Sequence, residues 1–352
     1  MTLDANLFDL AIVPGAMPPS LAVVIDTEEE FDWTAPFSRL SRGTNNLREL
    51  SHLQAIMDRH QAVPLYVIDH PVASDIEAMR WMGAVRDREG CEIGAHLHPW
   101  VTPPHDEPVS DRNSFTCNLP DTLQLAKIVS LTRTITEAVG ERPVAFRTGR
   151  YGVGKATFEA LAETGYRTDL SLAPHSSFIS QGGPEFYGWH NRPFWADTER
   201  RLLSLPVTTG FSGTLRGCGP SLAPFLDSST ARHTHLPGIL AHVRLLERAR
   251  LTPEGTGLKE MKRLISALVR DGERVLTLSL HSSTLLPGAT VYAHDATERD
   301  ALLARLDAIL EWFTSKLGGV LASVSDIDAA IRGIPVRSSN LKPGLLRSAQ
   351  TA

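Results

Sequence analysis

Apolar runs of strand length alternate with amphipathic helical stretches along nearly the whole chain, and that rhythm restricts the fold more than any single motif. SLAVVID (20–26), VPLYVID (63–69), CEIGAHLH (91–98), PVAFRTGR (143–150), YRTDLSL (166–172), RLLSLPVT (201–208), RVLTLSLHS (274–282) and GVLASVS (319–325) read as strands. Helical periodicity fills 46–61, 75–89, 121–140, 155–165, 235–250, 257–270 and 297–315, with Gly165 as a C-terminal stop. Parallel neighbours need a crossover and a helix supplies it, so seven or eight such alternations predict a parallel sheet. An open doubly wound sheet is one solution, but no GxGxxG follows the first strand. The expectation is an α/β fold, a distorted (β/α) barrel of about seven parallel strands over 20–330, with an N-terminal extension (1–19) and a C-terminal tail (331–352).

A chain of 352 residues, 42% hydrophobic and 21% charged, can bury a full core without covalent staples. The net charge of −5 and the lack of basic runs argue against nucleic acid as a partner. Cys91, Cys117 and Cys218 are odd in number and far apart, which suggests neither a disulfide framework nor a cysteine zinc site. The first residues are acidic where a secretory signal is basic, and no window approaches the roughly 20 apolar residues of a membrane span. These features predict a cytoplasmic protein whose membrane contact is at most peripheral; its oligomeric state stays open.

Barrel enzymes work at the C-terminal ends of their strands. Polar residues stand where these strands end: Asp26, Asp69, His96, Arg147, Asp169 and His281. Residues i and i+2 of a strand share a side, so Asp26 pairs with Glu28 and His96 with His98. Two such pairs converging supply nitrogen and oxygen ligands for a divalent ion such as zinc, with a nearby carboxylate to take a proton from its water. Taken singly, an HxH is as often structural and an acidic loop more often solvated. Their concentration at one mouth favours a site. Asp26 closes the apolar run LAVVI, and a buried carboxylate needs a partner, which Arg147 can provide. His281 suits a proton donor, with Asp169 to orient and charge it. Asp69 either lines the mouth or caps a loop, and 180–195, with Gly182 and Gly183, suits a lid or rim.

In order and at these separations, VVIDTEEEFDW, EIGAHLHPW, AFRTGRYG, TDLSLAPHS and LSLHSS resemble the successive motifs of the NodB-type polysaccharide deacetylases, carbohydrate esterase family 4. The DTEEEFDW and HLHPW forms are most similar to the WalW-like subgroup, and the resemblance covers about 20–330. It implies a distorted barrel and metal-dependent removal of an N-acyl group, less often O-acyl, from a carbohydrate or glycoconjugate, with zinc as the first choice of ion. It implies Asp26 as base, Glu28 and His96 as ligands, Arg147 as holder of the base, Asp169 as orienting acid, His281 as proton donor and a backbone amide near Tyr151 for the oxyanion. Departures are plain. The family's two histidines stand four apart, but Trp100 occupies that position, so His98 substitutes, with His105 as the other candidate. DTE replaces adjacent carboxylates, which keeps Glu29 open beside Glu28. Tyr151, Trp100 and Asp69 are the candidate substrate-lining residues, while Trp100, Trp189 and Trp195 each either stack on sugar or pack. The competing readings are a metallo-barrel amidohydrolase acting on another C–N bond and a non-catalytic carbohydrate-binding protein on the same fold.

Overall fold

SLAVVIDT has no polar side to offer water, and β1 (Ser20–Thr27) accordingly lies mid-sheet with every residue buried. The computed structural model describes residues 3–334; most of the expected C-terminal tail lies outside that range. The other strands are β2 (Leu65–Ile68), β3 (Glu92–Leu97), β4 (Ala145–Thr148), β5 (Thr168–Asp169), β6 (Phe194–Trp195), β7 (Leu203–Ser204), β8 (Thr209–Ser212), β9 (Glu247–Arg250), β10 (Val275–His281) and β11 (Val320–Leu321). The main sheet runs β10-β1-β2-β3-β4-β5-β7-β6. Its first seven members are parallel and only β6 is antiparallel, while β11 pairs with the start of β1. The expected α/β class, with a curled parallel sheet as a distorted barrel, is what the chain adopts.

Irregular backbone spans the gap between β7 and β10. The amide of Val207 bonds to Leu172, that of Leu251 to Thr208 and that of Ser279 to Leu251, at 2.8, 2.8 and 3.1 Å. Alternation along the strands sorts the side chains into two cores. Leu21, Val23, Ile25, Tyr66, Ile68, Ala95, Phe146, Leu276, Leu278 and Leu280 pack outward, with the helices Leu50–Arg59, Ile76–Asp87, Leu258–Arg270 and Ala296–Ser315. Ala22, Val24, Leu65, Val67, Ala145, Leu170, Leu203 and Val275 fill the interior. Interior residues nearer the strand ends are polar: Asp26, His96, Arg147, Ser279 and His281.

The strands expected over 166–172 and 201–208 shorten to the two-residue β5 and β7, and two further elements differ. The helical reading of 235–250 holds only over Leu236–His242; Arg244 then takes φ +58°, and the chain turns back as β9, antiparallel to β8. The strand expected over 319–325 shortens to β11 because Ser323 accepts the amide of Asp326 and starts the helix Val324–Ile331. Glu92 accepts the first-turn amides of Val324 and Ser325 at 3.1 Å each. Among the described residues no helix is long and apolar enough to cross a membrane.

Leu278 is fully buried between sheet and helices. Leu278→Ala is expected to lower unfolding free energy by about 2–5 kcal/mol, read by denaturant titration, through lost contacts and the cavity left behind.

Candidate active site

Alternation aims Glu28, His96 and His98 to one point above the apolar interior. Glu28 Oε2 stands 3.6 Å from His96 Nε2 and 3.5 Å from His98 Nε2, and all three side chains are buried. Those separations are long for hydrogen bonds. Donors placed around a tetrahedral ion at zinc-ligand distances stand roughly 3.4 Å apart, so the spacing fits three ligands of one ion. His98 Nδ1 lies 2.8 Å from Glu29 Oε2, and Trp100 Nε1 donates to Glu29 Oε1 at 2.8 Å. With Nδ1–H bound to a carboxylate, the Nε2 lone pair faces Glu28, the arrangement usual for a metal-ligating imidazole. Burial brings both histidines down to about 4, so both are neutral near pH 7. Burial pushes Glu28 up to about 7, the mark of a carboxylate that lacks full compensation from protein groups. The donor set therefore fits a divalent cation.

Gly149 makes the approach possible. A Cβ there would stand 2.2 Å from His98 Cδ2 and 3.0 Å from the carbonyl of Leu97. Among the described residues the groups able to hold an ion are Glu28–His96–His98 and Glu29–Asp69–His98; His105 is in neither. Glu29 bonds to His98 and Trp100 and its amide bonds to Asp69 Oδ2 at 2.8 Å, so it orients His98.

Asp26 and His281 lie side by side on paired β1 and β10. Arg147 Nη1 donates to Asp26 Oδ1 at 2.5 Å, its Nε to the carbonyl of Leu170 at 3.0 Å and its Nη2 to Ser279 Oγ at 3.1 Å. Burial alone would raise the carboxyl of Asp26; Arg147, His96 and His281 outweigh it and hold it below the usual carboxylate range. Asp26 Oδ2 stands 3.6 Å from His281 Nε2. On the other side of the ring, Nδ1 lies 2.8 Å from Glu254 Oε2, while the His281 amide and the Thr284 hydroxyl donate to Glu254 Oε1 at 2.9 and 2.6 Å. Burial disfavours the imidazolium, but Glu254, Glu28 and Asp26 together push His281 well above the usual histidine range.

Three expectations are corrected here. Asp169 does not orient His281. It pairs in register with outward-packed Phe146, one position off the interior-facing Arg147, and accepts from Ser171 Oγ at 2.5 Å and Ser204 Oγ at 2.8 Å. The carboxylate on His281 is Glu254, which sequence reasoning missed because ERAR reads as helix; a Glu directly before Gly255 (φ +70°) after a strand was the available signal. Asp69 is fully buried, where its Oδ1 caps the helix His70–Ala73 through Val72 N at 2.8 Å, so it does not line the cleft. Trp100 is also buried, stacked on His98 with ring centroids 4.3 Å apart. Trp189 and Trp195 are packed inside as well.

The cleft over these groups, about 560 Å³, is walled by Trp33, Phe37, Tyr151, Phe178 and Tyr292, with Asp26, Glu28, His96, His98 and His281 on its floor. Trp33, 45% exposed and edge-on to His281 at 6.5 Å, is the tryptophan at the mouth. Tyr151 takes φ +58° beside Arg150 at +55°, and its ring stacks on Phe178 at 5.6 Å. Of the segment expected as a lid or rim, Ser180 and Gln181 line the cleft, while Phe186, Trp189, Phe194 and Trp195 are buried in the core. Calorimetric titration with zinc is expected to show binding at the three-ligand point, at least tenfold weaker in His98→Ala and in Gly149→Ala, and undiminished in His105→Ala.

No family model and no curated protein matches this sequence. Solved structures do. A candidate polysaccharide deacetylase from Mycobacterium smegmatis superposes with a TM-score of 0.58 at 15% identity, over 94% of this chain and 96% of that one. Puue allantoinase gives 0.54 at 16% identity, over 91% and 92% of the two chains. A candidate polysaccharide deacetylase from Pseudomonas aeruginosa PAO1 gives 0.51 at 17% identity, over 90% and 92%. At these identities the likeness is one of fold: the chain shares its distorted barrel with polysaccharide deacetylases and with an allantoinase.

Proposed function

We propose that the protein is a metal-dependent hydrolase that removes an N-acyl group, acetyl in the first instance, from a sugar or glycoconjugate, and that it stands nearest the WalW-like deacetylases. One observation carries the reading: a buried Asp26 held by Arg147 and a His281 backed by Glu254 share one floor with the Glu28, His96 and His98 cluster. A base, an acid and a cation site within one aromatic-walled cleft are the set that amide hydrolysis needs.

Glu28, His96 and His98 would hold the ion, which when bound supplies Lewis acidity toward the acyl carbonyl and acidifies a water. Asp26 accepts the proton of the attacking water, and Arg147 keeps that carboxylate ionised and fixed in place. His281 Nε2 gives its proton to the departing amine, while Glu254 on Nδ1 sets the tautomer and keeps the ring charged beforehand. Trp33 and Tyr292, exposed at the mouth, offer faces on which a sugar ring stacks. The likeness to an allantoinase favours a second reading, hydrolysis of a C–N bond in a cyclic ureide, by the same groups.

Acetate release from N-acetyl sugars, assayed beside ring opening of a cyclic ureide, separates the two. Asp26→Asn is expected to reduce kcat by about 10²–10⁴-fold with metal content intact, and His96→Ala to reduce both. Parental turnover in both variants would overturn the reading. The pH profile follows from the two shifts: with Asp26 held low and His281 held high, kcat/KM is flat around neutrality and falls on the alkaline side as His281 loses its proton. In Glu254→Gln the carboxylate that raises His281 is gone, so that alkaline limb moves to lower pH.

A further inference from the structure

We propose that Arg250 docks an anionic group of the substrate, so that the acylated sugar taken by this cleft carries a phosphate or a carboxylate. That the anion belongs to a substrate rests on the proposed function; that Arg250 binds one rests on its own surroundings.

Arg250 ends β9 and lines both the 560 Å³ cleft and an adjoining cavity of about 310 Å³, on the wall they share with Tyr151, His281 and Tyr292. Its Nη1 donates to Tyr151 Oη at 2.8 Å and its guanidinium carbon lies 4.6 Å from the centre of that ring. No carboxylate of the described residues comes within 4.0 Å of the Arg250 guanidinium, and its Nε and Nη2 make no hydrogen bond to the described protein. The contrast with its neighbours is sharp. Arg248, on the same strand, is gripped by both oxygens of Asp227 at 2.7 Å each. Arg150, the second arginine lining the cleft, is tied to Ser114 and Gln181 and stacked between Phe37 and Phe115, with Asp111 acting on its charge.

The acids of the cleft floor are engaged elsewhere. Asp26 belongs to Arg147, Glu28 faces the two ligand histidines, and Glu254 is spent on His281 and Thr284. A strut for Tyr151 needs one donor, and Arg250 keeps its remaining N–H groups beside the proton donor His281. In a chain of net charge −5 this is no general basic surface. A planar fork of free donors on a half-buried stem matches the oxygens of a phosphate or carboxylate in geometry as well as charge.

Binding decides it without turnover. Calorimetry on the full chain, with chelator and with added zinc, compares N-acetylglucosamine with its 1-phosphate and 6-phosphate and with N-acetylmuramic acid; inorganic phosphate is the bare anion. The expected result is at least tenfold tighter binding of a charged sugar than of the neutral one in both conditions, falling to near parity in Arg250→Gln and partly restored in Arg250→Lys. The phosphate and carboxylate arms identify which anion is meant. Equal binding of charged and neutral sugars by the parent overturns the proposal, and so does a preference that survives in Arg250→Gln, which would assign it to another group, or to the ion where it appears only with zinc. Should Arg250→Gln fail to fold by circular dichroism, Arg250→Lys alone is decisive, since an undiminished ratio there also counts against the fork. Charge preference without acetate release would sink the deacetylase reading and leave this one; acetate release without charge preference would do the reverse.

Discussion

The Arg147–Asp26 pair is the interaction on which the rest depends. A guanidinium with no exposure reaches from β4 to a carboxylate of β1, a carbonyl just past β5 and a hydroxyl of β10. Taking either charge out of water unpaired would be severe, and removing one partner of such a pair costs roughly 3–5 kcal/mol. The barrel therefore has to close to the distance at which these groups meet, and the irregular stretch between β7 and β10 is tolerated because Arg147 ties the strands from inside. The same bond keeps Asp26 ionised, so the element that fixes the shape also fixes the state of the base.

Much of this was legible because side chains alternate. Asp26 with Glu28 and His96 with His98 are readable as facing pairs from spacing alone, and β1, β3 and β10 are long enough to keep the alternation unambiguous. Asp169 shows where it fails. β5 is two residues long, and nothing local tells which of Asp169 and Leu170 faces inward; the register beside Phe146 puts Leu170 there. Glu254 was hidden for another reason. LLERAR satisfies a helical period, and only the left-handed Arg244 and the pairing with β8 turn it into a strand that delivers the next loop to His281.

Trp100 is instructive because its chemistry was legible and its role was not. A tryptophan two residues past an HxH invited a sugar-stacking role, yet the ring lies under His98 and its N–H holds Glu29. Burial could not be foreseen from HPW alone, since it depends on Phe31 and Phe37 folding over from the chain after β1. The tryptophan of that covering segment, Trp33, is the one left at the mouth.

Asp69 and Glu29 stand behind His98, joined by the Glu29 amide on Asp69 Oδ2 at 2.8 Å. Burial raises both acids, helped at Asp69 by repulsion from Glu29 and at Glu29 by repulsion from Glu28. Asp26 is balanced by Arg147, and Glu254 by the imidazolium of His281. Beside His96 and His98, which burial keeps neutral, Glu28 pairs with no arginine or lysine of the described residues. A cation entering the pocket therefore supplies compensation that the fold does not, so its occupancy and the protonation of the surrounding acids are linked, and acidification and removal of the ion act on the same groups.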